Sequence, residues 1–282
     1  MSEDKPLPRA GVIGWPVAHS RSPKLHGYWL KQYGLEGRYD RLPVPPEGLA
    51  DFMAALRAGW NEGFRGVNVT IPHKEAVLPF LDEVDERARR IGAVNTITLR
   101  PDGSLHGQNT DAFGFYENLI AGAPHWQPGA APAVVLGAGG SARAICVALL
   151  DAGLPGITLV NRSVDRAEAL ADSLGGPISV ASWAAAPLAL QGAGLLVNTT
   201  ALGMTGQPPL DLALDELPAE AVVNDIVYAP LQTDLLRRAA ARGNRVVDGL
   251  GMLLHQGRPG FAAWFGTWPE VTDGLRAAVL AD

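Results

Sequence analysis

Residues 133–144, AVVLGAGGSARA, run four apolar residues into a glycine turn and out into small helix formers. Ala133–Leu136 reads as a short buried strand, and the continuation AICVALL reads as a helix. Between them, Gly137, Gly139 and Ala142 stand in G-x-G-x-x-A spacing. The first glycine permits a tight turn, the second lets backbone approach a pyrophosphate, and the small third residue lets helix and strand pack. Backbone N–H groups along Ala138, Gly139, Gly140 and Ser141 would then meet phosphates at the helix start, helped by the dipole. Strand, glycine turn and helix in that order predict a Rossmann-type dinucleotide-binding unit within an α/β fold.

The next strand, GITLV, selects the dinucleotide. An NAD site carries an acidic residue at that strand's end, where it holds the ribose hydroxyls. Here the strand ends on Asn161 and Arg162, with Arg166 one helical turn further. An arginine fork suits a 2′-phosphate, which a carboxylate would repel. Asp165 lies close by and is read as capping a helix or facing solvent. NADP is the expected cofactor.

Outward from this unit, strands and helices alternate in both directions. GLLVNTT and AVVNDIVY read as further strands, VDRAEALADSL and LQTDLLRRAAARG as helices, with more helix over 250–265 and around 269–281. Upstream, AGAPHWQPGAAP reads as a connector. Before it come the strand AGVIGW, the helix PKLHGYWLKQYG, the strand GRYDRLPV, the helix EGLADFMAALRAG, a strand over 67–71 and a helix near 83–91. AVNTITLRPDGSLHGQNTD predicts a hairpin turning at Asp102-Gly103, and a helix follows from Asp111 to about Ala121. Such alternation implies parallel sheets. The expected layout is a substrate domain over 1–112 completed by 250–282, an NADP-binding Rossmann-type domain over 113–249, and a cleft between them.

Two short segments carry candidate chemistry. In GVNVTIPHK (residues 66–74), Val67, Val69 and Ile71 alternate with Asn68 and Thr70 as a buried strand would. Pro72 ends the ladder and delivers Lys74 at the tip, either as a proton donor or as a solvated lysine opening a helix. In HSRSPKLH (residues 19–26), Ser20 and Ser22 stand two apart, on one side of the chain if it is extended. Pro23 biases Ser22 toward that geometry. The two hydroxyls form a carboxylate receptor at a helix start, or Ser22 is simply an N-cap.

Bulk properties narrow the class. The 282 residues are 47% hydrophobic and 18% charged, enough for a real core in one large or two medium domains. A net charge of −6 argues against nucleic-acid or acidic-membrane partners. No apolar run reaches a membrane span, and MSEDKPLPRA lacks a signal-peptide core. Cys146 stands alone in a helical pattern, as a core residue of a protein from a reducing, cytoplasmic compartment. The six histidines show no ligand spacing, so no metal is expected.

Together these pieces resemble the shikimate dehydrogenase family. The match runs from about Gly14 to Gln256 through GWPVAHSRSPKLH, NVTIPHK, GAVNT, GQNTDAFG, GAGGSARA, NRS, NTTALGM, DIVYAP and DGLGMLLHQG, in that order. Gly27 departs from the family's usual asparagine after the histidine. The resemblance implies Lys74 and Asp111 as the catalytic pair, the carboxylate orienting the lysine and binding a substrate hydroxyl. It implies Ser20 and Ser22 on the substrate carboxylate, and Thr70, Asn95, Tyr228 and Gln256 on its ring hydroxyls or carboxylate. Ile226 and Gly249 would line the nicotinamide end, and Glu86 would neighbour the cofactor. Read without the family, Asn95, Asp111, Tyr228 and Gln256 are a turn residue, an N-cap, a strand residue and a surface amide.

The activity so implied is reversible reduction of 3-dehydroshikimate to shikimate with NADPH, in aromatic amino-acid biosynthesis, by a monomer or homodimer. Its rivals are a quinate/shikimate dehydrogenase using NAD and a non-catalytic NADP-binding homologue. Retention of both Lys74 and Asp111 argues against the second.

Overall fold

The structure, a computed structural model, describes residues 6–281. Residues 1–5, where part of the signal-peptide reading fell, and residue 282 lie outside that range. The chain divides into two compact units, Met1–Thr110 with Gln256–Asp282, and Asp111–His255.

The first unit is built on β1 (Arg9–Gly14), β2 (Arg38–Pro43), β3 (Phe64–Val69), β4 (Glu83–Val84), β5 (Thr96–Leu99) and β6 (Leu105–Gln108), with helices α1 (Ser22–Gln32), α2 (Leu49–Ala58) and α3 (Glu86–Ile91). Its sheet has the order β2-β1-β3-β5-β6-β4. It is mixed rather than parallel, because β5 pairs antiparallel with both β3 and β6. The expected hairpin explains this: Gly103 supplies φ +83° and the Asp102 carboxylate accepts the Ser104 N–H at 2.9 Å, closing the turn. Ile13, Val67, Val69, Ile97 and Leu105 form one core with Met53 of α2.

Two boundaries differ from the sequence reading. The strand expected over 67–71 ends at Val69, and Ile71 is 74% exposed instead of buried. The regular strand stops after Val69, ahead of Pro72, so Ile71 lies past it with its side chain exposed. The helix expected from 83 starts at Glu86, where the Asp85 side chain accepts the Ala88 N–H as N-cap; Glu83 and Val84 pair with β6 instead.

The second unit contains β7 (Ala133–Leu136), β8 (Ile157–Asn161), β9 (Ile178–Ser182), β10 (Leu195–Asn198), β11 (Val222–Asp225) and β12 (Arg245–Val247). Its helices are α4 (Asp111–Gly122), α5 (Gly140–Asp151), α6 (Val164–Leu174), α7 (Ala186–Ala189) and α8 (Asp234–Ala241). All its strands are parallel, in the order β12-β11-β10-β7-β8-β9. From β7 the chain steps outward through β8 and β9, then returns to the other side of β7 for β10. That reversal is a topological switch point, and ligands of open α/β sheets bind outside the strand ends there. The short, half-exposed strands β9 and β12 had no clear apolar run and escaped the sequence reading. Helix α9 (Leu250–Phe265) carries the chain back to the first unit, which ends in α10 (Asp273–Leu280). Among the described residues, no helix is long and apolar enough to cross a membrane, and no group of three or more His, Cys, Asp or Glu could hold a metal.

Candidate active site

The first sheet has its own switch point, between β1 and β3, and the two strands end side by side. Thr70 donates its N–H to Ile13 O at 2.9 Å, and Trp15 donates to Ile71 O at 3.0 Å. The segment carrying Ser20 and Ser22 leaves β1 at this rim, and the segment carrying Thr70 and Lys74 leaves β3. Lys74 lies in a half-buried turn rather than opening a helix or ending the strand itself. Asn95 joins them because Val69 donates to its carbonyl at 2.8 Å and Val94 donates to Lys74 O at 2.7 Å. Ser20, Ser22, Thr70, Lys74 and Asn95 therefore share one sheet edge.

The serine pair is not extended. Arg21 is helical at φ −88°, ψ −4°, and Ser22 is the first residue of α1 rather than its N-cap. Ser20 Oγ accepts the Ser22 N–H at 3.3 Å, so the earlier serine satisfies the helix start. Pro23, which lacks an N–H, fits the first turn of α1 instead of extending Ser22.

Behind this rim lies a buried polar network absent from the sequence reading. The Tyr39 phenol donates to Asn68 Oδ1 at 2.6 Å and hydrogen-bonds Ser22. Burial pushes that phenol well above its usual range, so it stays protonated. His26 stacks on Tyr39 with ring centroids 4.0 Å apart; burial lowers its pKa to about 3, so it stays neutral. Asn68 Nδ2 donates to Asn95 O and to Thr96 Oγ1, both at 3.1 Å. Asn95 Oδ1 accepts from Thr110 N–H at 2.8 Å and from Thr96 Oγ1 at 3.0 Å, and Thr110 Oγ1 donates to Gln256 O at 2.8 Å. Two donors on Asn95 Oδ1 fix which side of its amide is the oxygen. Hydrogen bonds thus run from Ser22 to Gln256 through Tyr39, Asn68, Asn95 and Thr110. The available sequence signals were polar residues alternating with the apolar ones of β3 and the threonine of NTD.

In the second unit the glycine turn follows β7 at the switch point. Gly137 has φ +108°, and a Cβ there would lie 2.6 Å from Thr199 Oγ1, so only glycine fits. At Gly139 and Gly140 a Cβ would meet nothing within 4 Å, leaving backbone open to an approaching group. Helix α5 has no side-chain cap, so its first N–H groups face that opening. Ala142 is fully buried where α5 packs. Arg166 Nε donates to Ala138 O at 3.0 Å, placing the guanidinium beside the turn, and Asn161 and Arg162 lie at the end of β8. Asp165 is exposed in the first turn of α6 and caps nothing. These residues fit a dinucleotide with an extra phosphate.

Ile226 and Tyr228 follow the end of β11, Tyr228 beyond the strand rather than in it. Gly249 approaches Ile226 closely: a Cβ there would lie 2.2 Å from Ile226 O. Asp111 is buried as the first residue of α4, not as its N-cap. Glu86 is exposed at the first position of α3, in the unit that lacks the glycine turn.

A doubly wound sheet with a glycine turn at its switch point, joined in one chain to a second α/β unit with a polar rim, defines the class of two-unit dinucleotide-binding α/β proteins. The family model of the shikimate dehydrogenase substrate binding domain matches residues 12–97, and that of shikimate/quinate 5-dehydrogenase matches residues 127–203. The chain is 61% identical over 272 residues to the shikimate dehydrogenase (NADP(+)) of Paramagnetospirillum magneticum, covering 96% of this chain and 98% of the relative. It is similar in structure to shikimate 5-dehydrogenase of Thermus thermophilus in complex with NADP(H) and shikimate (TM-score 0.85, 42% identity, 97% and 98% coverage). Quinate dehydrogenase of Corynebacterium glutamicum in complex with NAD is also similar (TM-score 0.88, 32% identity, 97% and 99% coverage). The chain belongs to the shikimate dehydrogenase family.

Proposed function

We propose that this chain catalyses the reversible, NADP-dependent interconversion of 3-dehydroshikimate and shikimate. The observation that carries the reading is the first unit's rim, where Ser20, Ser22, Thr70, Lys74 and Asn95 meet on one edge and a hydrogen-bond network ties Ser22 and Asn95 to the main chain of Gln256. The names of the curated relatives support it.

The domain roles follow the family. The first unit takes the substrate and the second takes NADP through Gly137–Ala142, Asn161, Arg162 and Arg166, with Ile226 and Gly249 at the nicotinamide end. When bound, NADPH supplies a hydride to the carbonyl carbon. The chain's own residues handle orientation and the proton. The Ser20 and Ser22 hydroxyls hold the substrate carboxylate, while Thr70, Asn95, Tyr228 and Gln256 hold the ring. Charge developing on the carbonyl oxygen is stabilised by the Lys74 ammonium, which then gives that oxygen its proton. Asp111 serves as the paired carboxylate. In the oxidative direction Lys74 accepts the proton instead. The product belongs to aromatic amino-acid biosynthesis, and a single buried cysteine suits the cytoplasm.

NAD-dependent oxidation of quinate is the second reading, supported by the likeness to a quinate dehydrogenase. Initial rates with shikimate and quinate, each with NADP⁺ and NAD⁺, separate the two. The first predicts highest kcat/KM for shikimate with NADP⁺; a higher value for quinate with NAD⁺ overturns it.

A further inference from the structure

Asp225 ends β11 with its side chain wholly buried, and the mechanism above does not use it. Its carboxylate takes three hydrogen bonds from neutral donors. Oδ1 accepts from Val227 N–H at 3.1 Å and Asn198 Nδ2 at 3.0 Å, and Oδ2 accepts from Thr233 Oγ1 at 2.7 Å. The proton directions are settled by the next neighbours. Thr233 Oγ1 already accepts the Leu236 N–H as N-cap of α8, so its hydrogen turns to Asp225. Asn198 Oδ1 accepts from Thr200 N–H at 3.0 Å and Oγ1 at 2.7 Å, which turns its amide nitrogen to Asp225. Both carboxylate oxygens are therefore wanted as acceptors.

Burying a carboxylate without a cation is costly, and burial raises the Asp225 pKa accordingly. Apolar side chains would close the same corner at lower cost. What the carboxylate adds is direction, because it joins three segments at the strand ends: the end of β10, the start of α8 and the Ile226–Tyr228 segment. Ile226 N–H also donates to Asn198 O at 3.1 Å. Gly249 presses on the same segment, since a Cβ there would fall 2.2 Å from Ile226 O and 2.7 Å from Val227 O. Asn118 Nδ2 in turn holds the Asp248 carbonyl at 2.7 Å.

We infer that Asp225 is a positioning residue that holds the Ile226–Tyr228 segment in the register needed for nicotinamide and ring contacts. This rests on the proposed NADP-dependent reading. Asp225→Asn keeps the shape but turns one acceptor into a donor facing a donor. It lowers kcat for shikimate oxidation and raises KM for NADP⁺, each by roughly tenfold or more. The Kd of adenosine 2′,5′-bisphosphate, which reaches only the Arg162–Arg166 end, stays within about twofold. Thr233→Val reproduces the defect, and Thr233→Ser, which keeps the donor, restores turnover. Wild-type constants in Asp225→Asn, or loss of bisphosphate affinity in parallel with activity, overturn the inference; the second outcome marks a general collapse of the unit. Should the unmutated chain fail to oxidise shikimate, the proposed function falls instead. The ratio of NADP⁺ to bisphosphate affinity, which Asp225→Asn lowers, still tests the positioning role.

Discussion

The backbone N–H of Val94 donates to the carbonyl oxygen of Lys74 over 2.7 Å, although the two residues belong to different segments of the first unit. With Val69 donating to Asn95 O at 2.8 Å, the loop after β3 is zipped to the approach to β5. Lys74 is thereby held by main chain even though it sits in a turn. A base or acid fixed in this way needs little reorganisation during proton transfer.

Lys74→Ala lowers kcat by about 10²–10⁴, the usual range for general acid–base catalysis. On the proposed reading KM for shikimate changes far less, because Ser20 and Ser22 would still hold the carboxylate and Gln256 the ring. Lys74→Arg does not restore the rate, since guanidinium is too weak an acid. Near-normal kcat with raised KM in Lys74→Ala would make Lys74 a binding residue only.

Arg162→Ala removes most of the preference for NADP⁺ over NAD⁺. We expect that preference to be at least about tenfold in the unmutated enzyme, or about 1.4 kcal/mol, from charge-assisted contacts between Arg162 and the 2′-phosphate. Steady-state kcat/KM for both cofactors checks it, and equal use of NAD⁺ before mutation contradicts the assignment.

Gly137→Ala places a Cβ 2.6 Å from Thr199 Oγ1 at a residue held at φ +108°. The strain costs on the order of 1–3 kcal/mol and shifts the turn away from the phosphates. Urea unfolding and NADP⁺ titration should both show the loss; tight binding with unchanged stability would mean the turn adapts.

His26 gives the chain an acid sensitivity. Burial lowers its pKa from 6.5 to about 3, so the unfolded chain takes a proton that the folded one refuses between those values. Stability from His26 is whole above pH 6.5 and declines as pH falls toward 3, by at most about 1.4 kcal/mol per pH unit. Urea midpoints between pH 7 and 4 should fall less steeply in His26→Gln than in the unmutated chain. Parallel slopes would show that His26 is not the group responsible.

Several features were legible in the residues because local physics decides them. A glycine turn between an apolar strand and a small-residue helix dictates its own geometry, and Asp102-Gly103 dictates a hairpin. Arginine in place of an acid at the end of β8 needs only charge to be read. Boundaries were harder: β3 could not be ended at Val69 from a pattern in which Thr70 and Ile71 continue the alternation. Ser22 likewise looked extended until the fold placed it inside α1.

What the sequence by itself determined is therefore the α/β class, the glycine turn between β7 and α5, the arginines in place of an acid after β8, and the family. What only the tertiary structure decided is the set of partners for polar groups distant in the chain: Tyr39 on Asn68, Asn68 on Asn95, Thr110 on Gln256, and Asp225 among Asn198, Val227 and Thr233. The reason is physical. Apolar periodicity and turn chemistry act between near neighbours, whereas a buried polar side chain must find a donor or acceptor wherever the sheet order happens to bring one.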